Sequence, residues 1–287
     1  MAIRDEILRS PAWLQDHLED ENLRLFDVTT ILRPDPEKGF AVESGRAGYD
    51  EAHIPGAGFL DLQGTFSVQD SPLRFTLPDA DAFAAAAGAE GIGNGHHLVF
   101  YSTTNVMWAT RLWWMFRAFG HDQVSVLDGG LAKWQSDGRS VSQEAASYPA
   151  TSYTAKLAAD RVADRSRVLA AIDSQASCVI NSLGADQFRG ESGNYGRPGH
   201  IKSSRNLPFY DLLDEDGCFL ADDALHEKLA GTGALDAEEV ITYCGGGIAA
   251  TVDFFALSLL GMEDKVAVYD NSLSEWANDD SLPMEVG

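Results

Sequence analysis

Cys244 ends the apolar run Val240 to Tyr243, precedes Gly245, Gly246 and Gly247, and opens onto a helical pattern from Ala249 to Leu260. Glycines let successive backbone N–H groups turn towards one point and form an anion-binding nest. The N-terminus of the following helix adds positive partial charge at the same place. Both effects favour thiolate over thiol, and both would hold a terminal anionic sulfur attached to it. The carboxyl end of a strand in an open α/β sheet is also where such folds bind ligands. The chemistry implied is nucleophilic catalysis by sulfur. The bland alternative is a buried cysteine before a glycine turn. Of the other cysteines, Cys178 lies in a buried-strand run and reads as inert. Cys218 follows the polar loop Asp214–Gly217 and has no glycine nest or flanking base.

The elements that must position Cys244 occur twice along the chain. Ala52-His53-Ile54-Pro55-Gly56-Ala57 is echoed by Gly199-His200-Ile201-Lys202-Ser203-Ser204. Val99-Phe100-Tyr101-Ser102 is echoed by Ile241-Thr242-Tyr243-Cys244, and Val126 to Trp134 by Val268 to Trp276. Three collinear matches predict an internal duplication. In each half, apolar runs of strand length alternate with helical patterns. Strands are expected at Leu23–Val28, Leu98–Tyr101, Val124–Leu127, Cys178–Ile180, Val240–Tyr243 and Val266–Tyr269, and helices at Val106–Phe119, Ala224–Ala230 and Ala249–Leu260. That alternation predicts an α/β protein of two domains, each a parallel sheet covered by helices on both faces. The expected boundaries are 1–138 for the first domain, 139–161 for a polar linker containing Pro149, and 162–287 for the second.

Composition narrows the function. The 287 residues carry 44 acidic and 21 basic side chains, a formal charge of −23. Such a field repels phosphate backbones and argues against nucleic acid as a partner. No apolar run approaches the roughly 18 residues of a membrane span, and Met1–Glu6 holds no apolar segment of signal-peptide type, so a cytoplasmic location is expected. Three scattered cysteines without a CxxC pair suggest neither a zinc site nor a disulfide framework.

The chain resembles the two-domain rhodanese family, the thiosulfate and 3-mercaptopyruvate sulfurtransferases, over nearly its whole length. The matching pieces are Asp27-Val28, Tyr49–Ala57, Leu127–Trp134, Phe188-Arg189-Gly190, Gly199–Ile201, Cys244–Ala249 and Tyr269–Trp276. The resemblance implies two tandem rhodanese-like domains, the first non-catalytic with Ser102 in place of the cysteine. It implies a catalytic Cys244 on a six-residue loop, with Gly245, Gly246, Gly247, Ile248 and Ala249 binding substrate. It implies a ping-pong cycle in which Cys244 takes sulfur from a small-molecule donor as a persulfide and passes it to cyanide or a thiol. No cofactor or metal is expected, and a monomer is.

The chain departs from the family pattern at several places. Mercaptopyruvate enzymes carry a loop serine with a histidine and an aspartate from the first domain, where this chain has Gly246, Phe75 and Gln63. An arginine that helps bind the donor's anionic group is replaced by Gln187, and the loop lacks a basic side chain. Arg189 and Arg197 are the candidates left to attract an anionic donor. With that serine triad absent, thiosulfate is the expected donor and 3-mercaptopyruvate the alternative. His53 and His200 sit in the repeated turn and are expected to be structural. A cysteine phosphatase would need an arginine at position 250, which is Ala250. A non-enzymatic rhodanese-like binding or sensor module is the remaining alternative, and an intact Cys244 loop argues against it.

Overall fold

The computed structural model describes residues 3–35, 39–193 and 195–287. Met1 and Ala2, part of the N-terminal stretch considered above, lie outside them. The chain divides into two compact units. The first comprises Met1–Ser71, Leu77–Leu157 and Glu215–Cys218, and the second Pro72–Thr76, Ala158–Asp214 and Phe219–Gly287. The main division falls between Leu157 and Ala158, so most of the stretch 139–161 belongs to the first unit. Each half also lends a short segment to the other unit, which nothing in the repeat pattern announces.

In the first unit five parallel strands lie side by side in the order Leu8–Arg9, Val124–Leu127, His97–Tyr101, Leu23–Asp27, Gly58–Phe59. In the second the order is Val162–Ala163, Val266–Tyr269, Glu239–Tyr243, Ser177–Asn181, Arg205–Asn206, again all parallel. Numbered along the chain, both sheets read 1-5-4-2-3, so the duplication extends to topology. The central strands are apolar and buried along almost their whole length because helices flank the sheet. Strand 2 leads to strand 3 on one side, and strand 4 leads to strand 5 on the other. The carboxyl ends of strands 2 and 4 therefore frame the crevice at which the winding reverses.

Local chemistry explains the helices. Asp79 and Asp164 each accept the N–H three residues on and start Ala80–Ala89 and Arg165–Ile172. Met107–Ala118 is buried on nearly every face, including Trp108, Trp113 and Trp114, and forms core rather than a binding platform. Both repeated histidines bond to main-chain carbonyls within their own unit. The Nδ1 of His53 lies 2.7 Å from the Tyr49 carbonyl, and that of His200 lies 2.7 Å from the Phe188 carbonyl. The indoles of Trp134 and Trp276 donate to the carbonyls of Ser140 and Pro283. The first unit also carries an antiparallel pair, Thr30–Asp35 with Gly39–Ser44. Among the described residues no helix is long and apolar enough to cross a membrane.

Candidate active site

Cys244 follows the central strand Glu239–Tyr243 and is 2% exposed. The strand is held in register by Ser177–Asn181, and Ser182 N–H donates to the Tyr243 carbonyl at 2.9 Å. The Tyr243 hydroxyl accepts Ile201 N–H at 3.0 Å, as Tyr101 accepts Ile54 N–H at 3.2 Å in the first unit. Beyond Cys244 the loop reaches the helix Ala250–Leu259. Gly247 takes φ +73°, a conformation glycine adopts without strain.

The loop is pinned from below by Ser272. Its Oγ accepts the N–H groups of Cys244 (3.0 Å) and Gly247 (3.2 Å) and donates to the Tyr269 carbonyl at 2.7 Å. Ser272 sits at φ +50°, where the first unit has Gly130 at φ +54°. A serine in left-handed backbone costs about 1 kcal/mol, and its hydroxyl is what the second unit gains. The carbonyls of Cys244 and Gly245 are also held, by Leu273 N–H (3.1 Å) and by Ser274 N–H (2.8 Å) and Oγ (2.7 Å). With these groups engaged, the N–H groups of Gly245, Gly246, Ile248 and Ala249 meet no protein acceptor among the described residues. Four unspent donors beside a buried sulfur at a helix N-terminus suit an anion.

The first unit shows the contrast. Its loop after Ser102 spends three of its donors on nearby side chains: Thr103 N–H on Thr29 Oγ1 (2.9 Å), Thr104 N–H on Ser102 Oγ (3.2 Å) and Met107 N–H on Asn105 Oδ1 (2.9 Å). Thr29 in turn bonds Asp27, whose carboxyl is pushed up to about 6, chiefly by burial. At the duplicated site the hydroxyls of Thr29 and Ser102 take up donors that the Cys244 loop leaves open.

The two arginines named above are both engaged. Arg197 borders a cleft of about 190 Å³ with Gln187, Tyr195 and Leu273. Its guanidinium donates to the carbonyls of Trp276, Ala277, Asp279 and Leu282, which ties down the C-terminal segment. Arg189 is exposed and pairs with Glu191 through two hydrogen bonds. A cation the sequence reasoning passed over is Arg74. Its segment Pro72–Thr76 packs with the Cys244 unit, and its charge reaches Tyr195, as does that of Cys244. Phe75 beside it is buried at φ +59°. Cys178 is buried with Sγ on the Thr232 carbonyl, and burial pushes its thiol up. Cys218 belongs to the first unit, beside Gly129.

Sequence reasoning also missed Ser272 and Asp253. Asp253 lies in the first turn of the helix after the loop, fully buried, with Ser182 Oγ on its Oδ2 at 2.5 Å. Burial drives its carboxyl well above the usual range, which favours the form that does not oppose an anion at the helix N-terminus. A charged residue inside an otherwise apolar helix was the available signal. Among the described residues no group of three or more His, Cys, Asp or Glu side chains could hold a metal ion.

A family model described as rhodanese-like domain matches residues 10–137 and 186–279. The chain is 32% identical to a 3-mercaptopyruvate sulfurtransferase of Escherichia coli over 277 residues, 95% of each chain. It is 31% identical to a putative thiosulfate sulfurtransferase of Mycobacterium leprae over 294 residues, 99% of each. Among solved structures, SseA of Escherichia coli, a 3-mercaptopyruvate enzyme with the rhodanese fold, superposes with a TM-score of 0.81 at 31% identity, covering 92% of this chain and 98% of that one. The Tum1 protein of Saccharomyces cerevisiae shares the fold with a TM-score of 0.83 at 19% identity, over 99% of each chain.

Proposed function

The chain belongs to the rhodanese-like domain family, and on that premise we propose that it is a sulfurtransferase with Cys244 as its sulfur carrier and thiosulfate as its donor. The observation that carries this reading is the set of unspent N–H groups of Gly245, Gly246, Ile248 and Ala249 around a buried cysteine. The Cys244 thiolate attacks the outer sulfur of thiosulfate. A new sulfur–sulfur bond forms, the donor's own breaks, and its electron pair leaves on sulfite. Cyanide or a thiolate then attacks the outer sulfur of the persulfide, and the electron pair returns to Cys244. The loop donors hold the anionic sulfur in both half-reactions.

Thiosulfate over mercaptopyruvate is supported by Gly246, Phe75 and Gln63, which replace the serine, histidine and aspartate that mercaptopyruvate enzymes use. Arg74 supports an anionic donor more directly than Arg189, neutralised by Glu191, or Arg197, spent on carbonyls. Against this stand the 3-mercaptopyruvate names of several relatives. Turnover with each donor, cyanide as acceptor, decides the matter. A higher kcat/KM with thiosulfate is expected, and a clear mercaptopyruvate preference overturns the donor assignment.

A further inference from the structure

Tyr195 lies between Gly193 (φ +127°) and Gly196 (φ +130°), in a stretch without helix or strand to account for an aromatic side chain. Its ring rests on the Cys244 loop. A Cβ placed on Gly245 would stand 1.9 Å from Tyr195 Cζ and 2.3 Å from both Cε1 and the phenol oxygen. Position 245 must therefore be glycine for a reason unrelated to its own backbone angles. Ring and loop share one frame. Asn278 Nδ2 donates to the carbonyls of Tyr195 (2.7 Å) and Ser274 (2.9 Å), and Ser274 donates to the Gly245 carbonyl. The charged groups acting on the phenol are Cys244 and Arg74. Burial first, then the Cys244 charge, pushes the phenol up to about 12, so it keeps its proton wherever a thiolate exists. Among the described residues its O–H has no protein acceptor.

We propose that Tyr195 is a further residue of the sulfur-transfer site, its phenol O–H donating to the sulfur carried on Cys244 while its ring shuts the loop from water. The proposal rests on Cys244 being the sulfur carrier. It gives this chain a hydroxyl donor beside the cysteine where the loop itself has Gly246 instead of serine.

The test compares the wild type with Tyr195→Phe and Tyr195→Ala, following iodoacetamide modification of the Cys244 peptide against pH, with urea unfolding as a control. Loss of one charge-assisted hydrogen bond should slow Cys244 modification in Tyr195→Phe by about tenfold near neutral pH. It should also move the pH profile upward without changing the unfolding midpoint. In Tyr195→Ala the profile moves the same way, and preloaded sulfur is lost faster to dithiothreitol because the ring is gone. A Tyr195→Phe profile that overlays the wild type overturns the proposal and leaves the ring a mere plug. Uptake of sulfur from thiosulfate by the wild type, read by mass, tests the carrier assignment separately. A moved profile without any uptake would keep the phenol–sulfur contact and remove the sulfurtransferase reading.

Discussion

Replacing Ser272 separates the two things that residue does. Its hydroxyl accepts two buried N–H groups, those of Cys244 and Gly247, and its backbone is held at φ +50°. Ser272→Ala removes the acceptor and keeps the left-handed conformation. At about 1–3 kcal/mol for each buried donor deprived of its acceptor, the loss is about 3 kcal/mol. Ser272→Gly loses the same acceptor and relieves about 1 kcal/mol of backbone strain, so it should cost about 2 kcal/mol. With an m-value near 2–3 kcal/mol/M, the alanine variant should unfold at roughly 1 M less urea, with glycine between it and the wild type. Two units need not unfold together, so the transition followed should be that of the Cys244 unit. Both variants free the loop, and misplacement by an ångström costs up to about 100-fold in rate. Sulfur uptake should therefore fall about 10- to 100-fold in both, with glycine no faster than alanine. A glycine variant less stable than alanine, or sulfur uptake at the wild-type rate in either variant, would rule out Ser272 as the pin of the loop.

Arg74→Gln should raise the KM for thiosulfate about tenfold while leaving kcat nearly unchanged, the loss of one charge-assisted contact; an unchanged KM removes Arg74 from the donor site. Arg197→Met should destabilise the Cys244 unit by about 2–4 kcal/mol because four backbone carbonyls lose their donor. Arg189→Ala, by contrast, should leave the urea unfolding midpoint unchanged, since its ion pair with Glu191 is exposed and screened by solvent. In the first unit, Asp27 titrates near 6 instead of 3.8, so its folded form holds a proton more tightly and stability falls as pH rises from about 4 to 6. His97 is driven by burial from 6.5 to about 4, so its contribution is complete above 6.5 and is lost as pH falls towards 4. The two slopes oppose one another, each worth about 3 kcal/mol in all. Wild-type stability should be nearly flat between pH 4 and 6, and Asp27→Asn should instead show stability rising with pH; a flat Asp27→Asn curve contradicts the assignment.

The longest features were legible in the sequence. Six of the ten sheet strands stand where their apolar runs lie, within a residue at either end, because a strand buried on both faces must be apolar throughout. The four edge strands, Leu8–Arg9, Gly58–Phe59, Val162–Ala163 and Arg205–Asn206, are two residues each, too short to carry any period. The hairpin Thr30–Asp35 and Gly39–Ser44 was missed because Pro34 and charged residues break its pattern, although Pro34 is tolerated there. At the site, the glycines after Cys244 are visible as a loop with open N–H groups, since they follow one another in sequence. Ser272 and Tyr195 are not, because each reaches the loop from a distant segment, and neither is Arg74, whose charge acts on Tyr195 from another segment. The segment exchange that brings Pro72–Thr76 to the second unit has no local signature at all. Arg189 and Arg197 looked available only because their partners, Glu191 and four carbonyls, do not show in a search for cations.

The most direct measurement is the intact mass of the protein before and after thiosulfate, repeated on Cys244→Ser. The wild type should gain one sulfur atom, discharged by cyanide, absent from Cys244→Ser and retained in Cys178→Ser and Cys218→Ser. A sulfur adduct that still forms on Cys244→Ser, or no adduct on the wild type with either thiosulfate or mercaptopyruvate, contradicts Cys244 as the sulfur carrier.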